Sequence, residues 1–188
     1  VNLPRNIFVW AKTLKEFIQR QLKKVALPDY LSFTIYAIII GVFAGLAAVL
    51  FHHSIDFFNN FFFKQTAEGL YFLGAAAVIV LPAIGMLIQA LMIKHAPNIA
   101  EKKGVAEIIK SVALRGGYIP LKTTIFHFFA PVICIGSGGT VGPEGPAAQL
   151  GGGVSSKLCQ LMGLSDSRRR VFTAAGSGAA IAAIFNTP

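Results

Sequence analysis

Two long uncharged apolar runs constrain the fold of this chain more than any other feature of its sequence. They cover residues 31–51 and 69–93, and neither contains an acidic or a basic side chain. Each run is long enough to cross a hydrocarbon layer of roughly 30 Å as an α-helix, which takes about 20 apolar residues. Only 13% of all residues are charged, about half the share that a soluble domain carries. The sequence therefore predicts a protein that is embedded in a membrane.

Two further apolar runs, residues 123–143 and 171–188, are rich in glycine, proline and small polar residues. Irregular backbone at membrane depth is tolerated only where it is buried in protein or lines a water-filled cavity. We therefore expect broken or partly buried helices in both runs. The predicted fold class is an all-α polytopic membrane protein with tilted, broken and re-entrant helices, and its transmembrane region is predicted to cover residues 29–188.

Residues 1–28 are predicted to form a separate segment in front of the first span. Between residues 6 and 24, apolar side chains recur at helical spacing, and lysines and arginines fill the other face. This pattern is typical of an amphipathic helix that lies on the cytoplasmic surface of the bilayer. An ordinary packed helix with one solvated face fits the same pattern, and both interpretations stay open.

The positions of the basic residues predict an orientation in the membrane. Six of them precede the first run and six lie within residues 94–122, whereas residues 52–68 contain Lys64 alone. Because cytoplasmic loops collect lysine and arginine, we expect the N-terminus and residues 94–122 in the cytoplasm. Residues 163–170, with three consecutive arginines, are predicted to form another cytoplasmic loop. We expect a multi-pass protein of the plasma or inner membrane that contacts lipid. Nucleic-acid binding is not expected, because apolar runs separate the basic residues instead of leaving one patch.

Several residues have simple structural explanations. Cys134 and Cys159 match no metal motif and no disulfide framework, so we expect buried thiols. No metal site, organic cofactor or catalytic residue is predicted, and the chain is not expected to be an enzyme. Gly41 and Gly45 lie four residues apart in the first run, a spacing that predicts close packing between two helices in lipid.

One stretch of the chain predicts a functional site. Residues 136–153 read GSGGTVGPEGPAAQLGGG, and Glu144 is their one acidic residue. Pro143 and Pro146 suit the first turn of a helix, so Glu144 is predicted to lie at a helix N-terminus, where free N–H groups attract anions. A charged carboxylate in hydrocarbon costs more than the roughly 1 kcal/mol that a helix cap returns. We therefore favour a functional role for Glu144 over that of a simple cap.

A phosphate-binding loop is the obvious alternative for a glycine-rich stretch. The nucleotide-binding pattern requires Gly-Lys-Ser/Thr after the loop, whereas here Gly142 is followed by Pro143 and Glu144. The dinucleotide fingerprint fails as well, because the glycine spacing differs and no strand precedes it. A nucleotide-binding membrane enzyme is therefore not favoured.

The same stretch resembles a known family. Gly142-Pro143-Glu144-Gly145-Pro146, followed by AAQLGG, is similar to the G-x-E-G-P signature of the CLC chloride channels and chloride/proton antiporters. Residues 174–188 resemble the small-residue helix of that family, which ends in F-N-x-P. Residues 102–107, KKGVAE, are similar to its G-S-G-I-P-E motif. The resemblance implies the N-terminal half of an inverted-repeat fold, to be completed by a second half of the same protein.

The resemblance also implies roles for individual residues. Glu144 corresponds to the gating glutamate, which blocks the anion path and, in antiporters, passes the proton. The remaining positions are expected to bind the anion through backbone amides or to lie close to it: Gly142, Pro143, Gly145 and Pro146, together with Lys103, Gly104 and Val105.

Three positions depart from the family pattern. Lys103 replaces a serine that coordinates chloride in the family, and Ala106 replaces a proline. The inner anion contact is then altered by a lysine charge or made by backbone amides alone, and Lys103 as part of a solvated basic loop is an equal alternative. Pro143 stands where arginine is frequent, which changes the local charge and keeps the glutamate.

The function predicted from this resemblance is transmembrane transport of chloride or a similar small anion. The chain is expected to act as part of a voltage- or pH-gated channel or of an anion/proton antiporter, with protons as a second substrate in the latter case. A homodimer with one pathway per subunit is implied. The alternative is a membrane scaffold or partner-binding fragment without transport of its own. The sequence does not distinguish a channel from an exchanger, nor does it specify the anion.

Overall fold

The computed structural model describes residues 28–65 and 77–187, and the regular structure in these two ranges is helical throughout. The predicted all-α class is therefore confirmed. The amphipathic helix predicted within residues 6–24 lies outside the described residues. The helices are α1 Asp29–Asn60 with a π-helical extension Phe61–Gln65, α2 Ala77–His95, α3 Pro97–Ala100, α4 Gly104–Leu114, α5 Leu121–Gly136, α6 Glu144–Met162 and α7 Asp166–Phe185.

The apolar runs fall on helices of different lengths. One helical segment in the described ranges, Asp29–Phe63, is both long enough and apolar enough to cross a membrane. Two shorter apolar helices cover Ile79–His95 and Leu121–Gly136. The second predicted span begins at residue 69, so its first part lies outside the described residues and its described part is α2. The third run forms a helix only as far as Gly136, so the predicted break within it is confirmed.

The predicted loop at residues 163–170 is wrong in its extent. Gly163 ends α6 in the left-handed region with φ +72°. Ser165 then caps α7, and its side chain accepts a hydrogen bond from the backbone N–H of Arg168. Helix α7 therefore starts at Asp166 rather than near residue 171, and it continues unbroken to Phe185. A serine N-cap satisfies one of the free amides of a first turn, and this local signal places the arginines inside the helix.

Helices α6 and α7 form the most extensive contact in the fold, and α1, α4 and α5 pack around them. Their backbones approach closely because glycines lie at the crossing. A Cβ atom added to Gly151 would overlap the carbonyl oxygen of Gly176 and come within 2.5 Å of Ala180 Cβ. Small residues at such crossings allow the van der Waals packing that holds helices together in lipid.

Among the described residues, the glycine pair in α1 does not form the close helix contact that was predicted. A Cβ atom on Gly41 or Gly45 would meet nothing within 4 Å in the described part of the chain. The contact face of α1 is instead the neighbouring stripe, whose buried residues are Ile40, Ala44, Ala48 and Phe51. Alanine is also small enough for close packing, and the larger side chains of this stripe fill the core.

Two apolar clusters hold the bundle together. In the first, Ile40 of α1 contacts Cys159 of α6 and Phe172 of α7. In the second, Phe51 of α1 packs with Val132 of α5 and Leu150 of α6. Helix α1 is therefore attached to the rest of the bundle at two levels along its length.

A buried hydrogen-bond cluster joins the α4–α5 connection to α6 and α7. Ser156 Oγ donates to the carbonyl oxygen of Gly117 at 2.7 Å and accepts from the backbone N–H of Ile119 at 2.9 Å. Thr173 Oγ1 donates to the same Gly117 oxygen at 3.0 Å. Buried backbone groups are expensive to leave without partners, so these hydroxyl groups stabilise the turn after α4.

Replacing Ser156 with alanine is expected to lower the free energy of unfolding by about 1–3 kcal/mol, because the buried N–H of Ile119 loses its acceptor. The measurement is the thermal unfolding midpoint of the full-length protein in detergent. Ser32→Ala is the matched control, since Ser32 is exposed and its Oγ donates to Asp29 O within its own helix. Equal midpoints for the two variants would contradict the importance of the Ser156 bridge.

Candidate functional site

A cavity of about 790 Å³ lies between the N-terminal ends of α4 and α6. Residues from α2, α3 and α5 complete its wall, including Gln89, Pro97 and Ala130. The lining contains apolar side chains, exposed backbone and a few polar groups, as is typical of small-molecule sites.

The N-terminus of α4 contributes one edge of the cavity. Gly104, the first residue of α4, has φ +71°, a conformation that strains any residue with a side chain. The preceding residue, Lys103, is extended and makes no side-chain capping bond. The free amides of the first turn therefore remain available next to the cavity.

The N-terminus of α6 contributes the opposite edge. Pro143 is its N-cap residue and makes no side-chain capping bond. The first helical hydrogen bond runs from the N–H of Ala147 to the carbonyl oxygen of Pro143 at 2.8 Å. Pro146 has no N–H group, so the amides of Glu144 and Gly145 are the donors of this first turn.

The two helix ends approach each other directly. A Cβ atom added to Gly145 would lie 3.6 Å from Gly104 Cα. Each helix N-terminus carries roughly half a positive charge, so the cavity has two positive helix ends on its rim. This arrangement favours the binding of a small anion.

The structure brings together five of the residues that the sequence predicted for the site. The predicted residues that line the cavity are Lys103, Gly104, Gly142, Gly145 and Pro146. Val105 is 47% exposed and lies outside the lining. Pro143 and Glu144 are also outside it, although both are adjacent to residues that line it.

Glu144 is the first residue of α6, as the sequence predicted. Its side chain is exposed in the described part of the chain. The carboxyl group folds back over Gly142, and a Cβ atom at Gly142 would overlap a carboxylate oxygen. Glycine at position 142 is therefore required for this placement of the carboxyl group next to the cavity.

Sequence reasoning missed three charged or polar residues around the cavity. His127 of α5 lines it with only 7% of its surface exposed, and Glu101 lines it from the α3–α4 connection. Glu107 lies in the first turn of α4, is buried, and forms an ion pair with Arg115. His127 could have been noticed in the sequence, because it is the one histidine within the apolar run of residues 123–143.

The described residues contain no group of three or more histidine, cysteine, aspartate or glutamate side chains that could hold a metal ion. Cys134 and Cys159 are both buried and unbridged. The expectation of buried thiols is therefore confirmed.

Comparison with known proteins gives consistent matches. The model of a family described as voltage gated chloride channel matches residues 84–188. The chain is 28% identical to the H(+)/Cl(-) exchange transporter ClcA of Vibrio campbellii (strain ATCC BAA-1116), over 96% of this chain and 39% of that protein. It is 29% identical to the H(+)/Cl(-) exchange transporter ClcA of Vibrio vulnificus (strain YJ016), with the same coverage. The chain thus spans about 39% of the length of the curated relatives it matches.

The fold also matches that of a solved protein. The crystal structure of a slow cyanobacterial Cl-/H+ antiporter superposes with a TM-score of 0.66 over 82% of this chain and 37% of that chain. The two sequences are 22% identical over this match, so the similarity concerns the fold.

Proposed function

The chain belongs to the voltage-gated chloride channel family, and from this premise we propose that it forms part of a transmembrane pathway for chloride or a similar small anion. Membership of this family makes it an integral membrane protein. The observation that carries the proposal is the meeting of two helix N-termini, at Gly104 and Gly145, on one cavity. The rest of the pathway is supplied by another part of the same protein.

The charges around the cavity support an anion over a cation. Two helix ends each contribute roughly half a positive charge, and Lys103, which carries a further positive charge, is one of the lining residues. Glu101 adds one negative charge to the same wall. Glu144 adds a second negative charge over Gly142 while it is ionised, so the field favours an anion once Glu144 is protonated. An anion bound by amides avoids the desolvation cost of a buried full positive charge. Lys103 is in this proposal an anion-attracting residue at the position where the family has serine.

Glu144 is the gating residue in this proposal. Its carboxylate belongs to the first residue of α6 and lies over Gly142, beside the amides that would bind the anion. An ionised carboxylate can occupy the same positive helix end as the transported anion and compete with it. Protonation removes that charge and the attraction to the helix end, so the anion can take its place.

Exchange of chloride for protons is the favoured form of transport, because the relatives and the solved protein are named as exchangers. The proposal includes a homodimer with one pathway per subunit, as the family resemblance implies. It also places the protein in the plasma or inner membrane with a cytoplasmic N-terminus, supported by the concentration of basic residues in residues 94–122.

Flux from liposomes that contain the full-length protein tests this function, with chloride efflux and internal pH recorded together. The wild type is expected to move chloride with protons. Glu144→Gln, which cannot ionise, is expected to lose the proton movement and keep chloride movement. Asp56→Asn is the matched control, since Asp56 is an exposed carboxylate paired with His52 near the end of α1.

Each outcome of the flux experiment has one meaning. Proton movement that persists in Glu144→Gln would remove Glu144 from the proton path. Chloride movement without protons in the wild type, with altered pH dependence in the variant, would indicate a channel gated at Glu144. No anion flux from either protein would exclude transport and favour a membrane scaffold, in which Glu144 is a helix cap.

A further inference from the structure

His127 is a buried imidazole in the wall of the anion cavity for which the proposed function assigns no role. It lies in the middle of α5 and is 7% exposed. Its Nε2 atom lies 3.2 Å from the carbonyl oxygen of Ile99. A carbonyl oxygen can only accept, so Nε2 carries the proton of this hydrogen bond. Nδ1 is therefore the atom at which the neutral ring can bind a second proton. Binding of that proton makes the imidazole a cation.

The backbone around the ring is suited to such a cation. The Ile99 carbonyl oxygen accepts a hydrogen bond from Nε2 at 3.2 Å. Ile99 belongs to α3, and residues 101–103 lead from α3 directly into the N-terminus of α4. The ring thus lies between α5 and the segment that positions Gly104.

The charged side chains near His127 nearly balance one another. Glu101 and Lys103 share the cavity wall with the ring. Glu107 lies in the first turn of α4 and is already paired with Arg115. The residues that α2 and α6 contribute to the wall are uncharged: Gln89 and Ile93 from α2, and Gly145 and Pro146 from α6. Glu101 shares the cavity wall and Glu144 lies over Gly142, yet among the described residues His127 forms no hydrogen bond or ion pair with a carboxylate.

We propose that His127 is a proton-binding residue of the anion site, so that an anion in the cavity and a proton on the imidazole stabilise each other. A buried cation is expensive unless it is paired, and the bound anion is the partner that the cavity can supply. This inference rests on the proposed anion site and adds a second proton-binding residue to Glu144.

Thermodynamic linkage between proton binding and anion binding determines the direction in which anion affinity changes with pH. If the anion favours the protonated ring, then protonation favours anion binding by the same factor. Anion affinity therefore rises as the pH falls through the range in which the ring titrates, and binding takes up protons from the buffer. An imidazole is the side chain whose charge ordinarily changes between about pH 5 and 8.

Calorimetric titration of chloride into the full-length protein in detergent tests the inference. The reference protein carries Glu144→Gln, so that titration of Glu144 itself does not contribute. Affinity is measured at about pH 5.5 and about pH 8.5, which lie on either side of the ordinary imidazole pKa of about 6.5. Two buffers with different ionisation enthalpies report the proton uptake. The added variants are His127→Gln, which can still donate to Ile99, and His127→Lys, which carries a charge at both pH values.

The expected results differ between the variants. The reference protein binds chloride roughly fivefold or more tightly at the lower pH and takes up protons, a coupling of ordinary size. His127→Gln loses both the pH dependence and the proton uptake. His127→Lys binds with similar affinity at both pH values. The control His53→Gln, an exposed histidine on α1, behaves as the reference protein does.

Two outcomes would overturn the inference, and they are distinguishable. If His127→Gln keeps the pH dependence, or weakens binding equally at both pH values without restoration by lysine, His127 has only a structural role and the proposed function stands. If the wild-type protein and the reference protein bind no chloride at either pH, the proposed anion site fails and the inference fails with it.

Discussion

Replacing Gly151 with alanine is expected to lower the free energy of unfolding by about 3 kcal/mol, at the upper end of the usual cost of an overpacked contact. The new methyl group would overlap the carbonyl oxygen of Gly176 in α7. A backbone carbonyl in the middle of a helix cannot rotate away as a side chain can. Helices α6 and α7 must therefore separate, and the most extensive contact in the fold is weakened.

The matched control for this prediction is Gly178→Ala. Gly178 lies in α7, the partner helix of the crossing, but a Cβ atom there meets nothing within 4 Å in the described part of the chain. The measurement is the thermal unfolding midpoint and the yield of monodisperse full-length protein in detergent. We expect a large loss for Gly151→Ala and little change for Gly178→Ala. Similar midpoints for both variants would contradict the close approach of Gly151 to Gly176 at the α6–α7 crossing.

Replacing Glu107 with glutamine is expected to destabilise the protein by about 2–3 kcal/mol. Breaking a buried ion pair typically costs about 3–5 kcal/mol, because it leaves one charge buried without its partner. The Glu107 side chain is 9% exposed and the Arg115 side chain 30% exposed, so water reduces the cost below that range. The carboxylate also lies in the first turn of α4, where a negative charge is favourable.

A double-mutant cycle measures this pair. Arg115→Met is combined with Glu107→Gln, and unfolding of the four proteins is followed in detergent. We expect the double variant to be more stable than the sum of the two single losses predicts, because no unpaired charge remains. The exposed pair of Arg168 and Asp29, with Asp29 96% exposed, is the control, and Asp29→Asn should cost less than about 1 kcal/mol. A loss for Glu107→Gln as small as that of Asp29→Asn would contradict the prediction.

The helix boundaries were predictable where a local signal specifies them. Pro143 and Pro146 indicated the start of α6. The same logic misplaced the start of α7, because three consecutive arginines were interpreted as a solvated loop. Ser165 provides an N-cap in front of them, and this cap was a local signal that the interpretation passed over.

The sequence predicted that helices pack closely at small residues, but not which small residues form the contact. Gly41 and Gly45 show the spacing of a close helix contact, yet they face open space in the described part of the chain. Gly151 and Gly176 lie at a real crossing. Spacing identifies a face on which another helix can approach, but the partner that uses the face is decided by the arrangement of the whole bundle.

The sequence by itself determined the helical class, the family and the position of Glu144 at a helix N-terminus. These properties depend on hydropathy, on proline and glycine signals and on motifs, all of which act over a few neighbouring residues. Only the tertiary structure decided that the helix ends at Gly104 and Gly145 meet on one cavity, that Val105 lies outside its lining, and that His127 lies in its wall. Those relations depend on how α4, α5 and α6 pack against one another, because residues far apart in the chain come together only when the helices do.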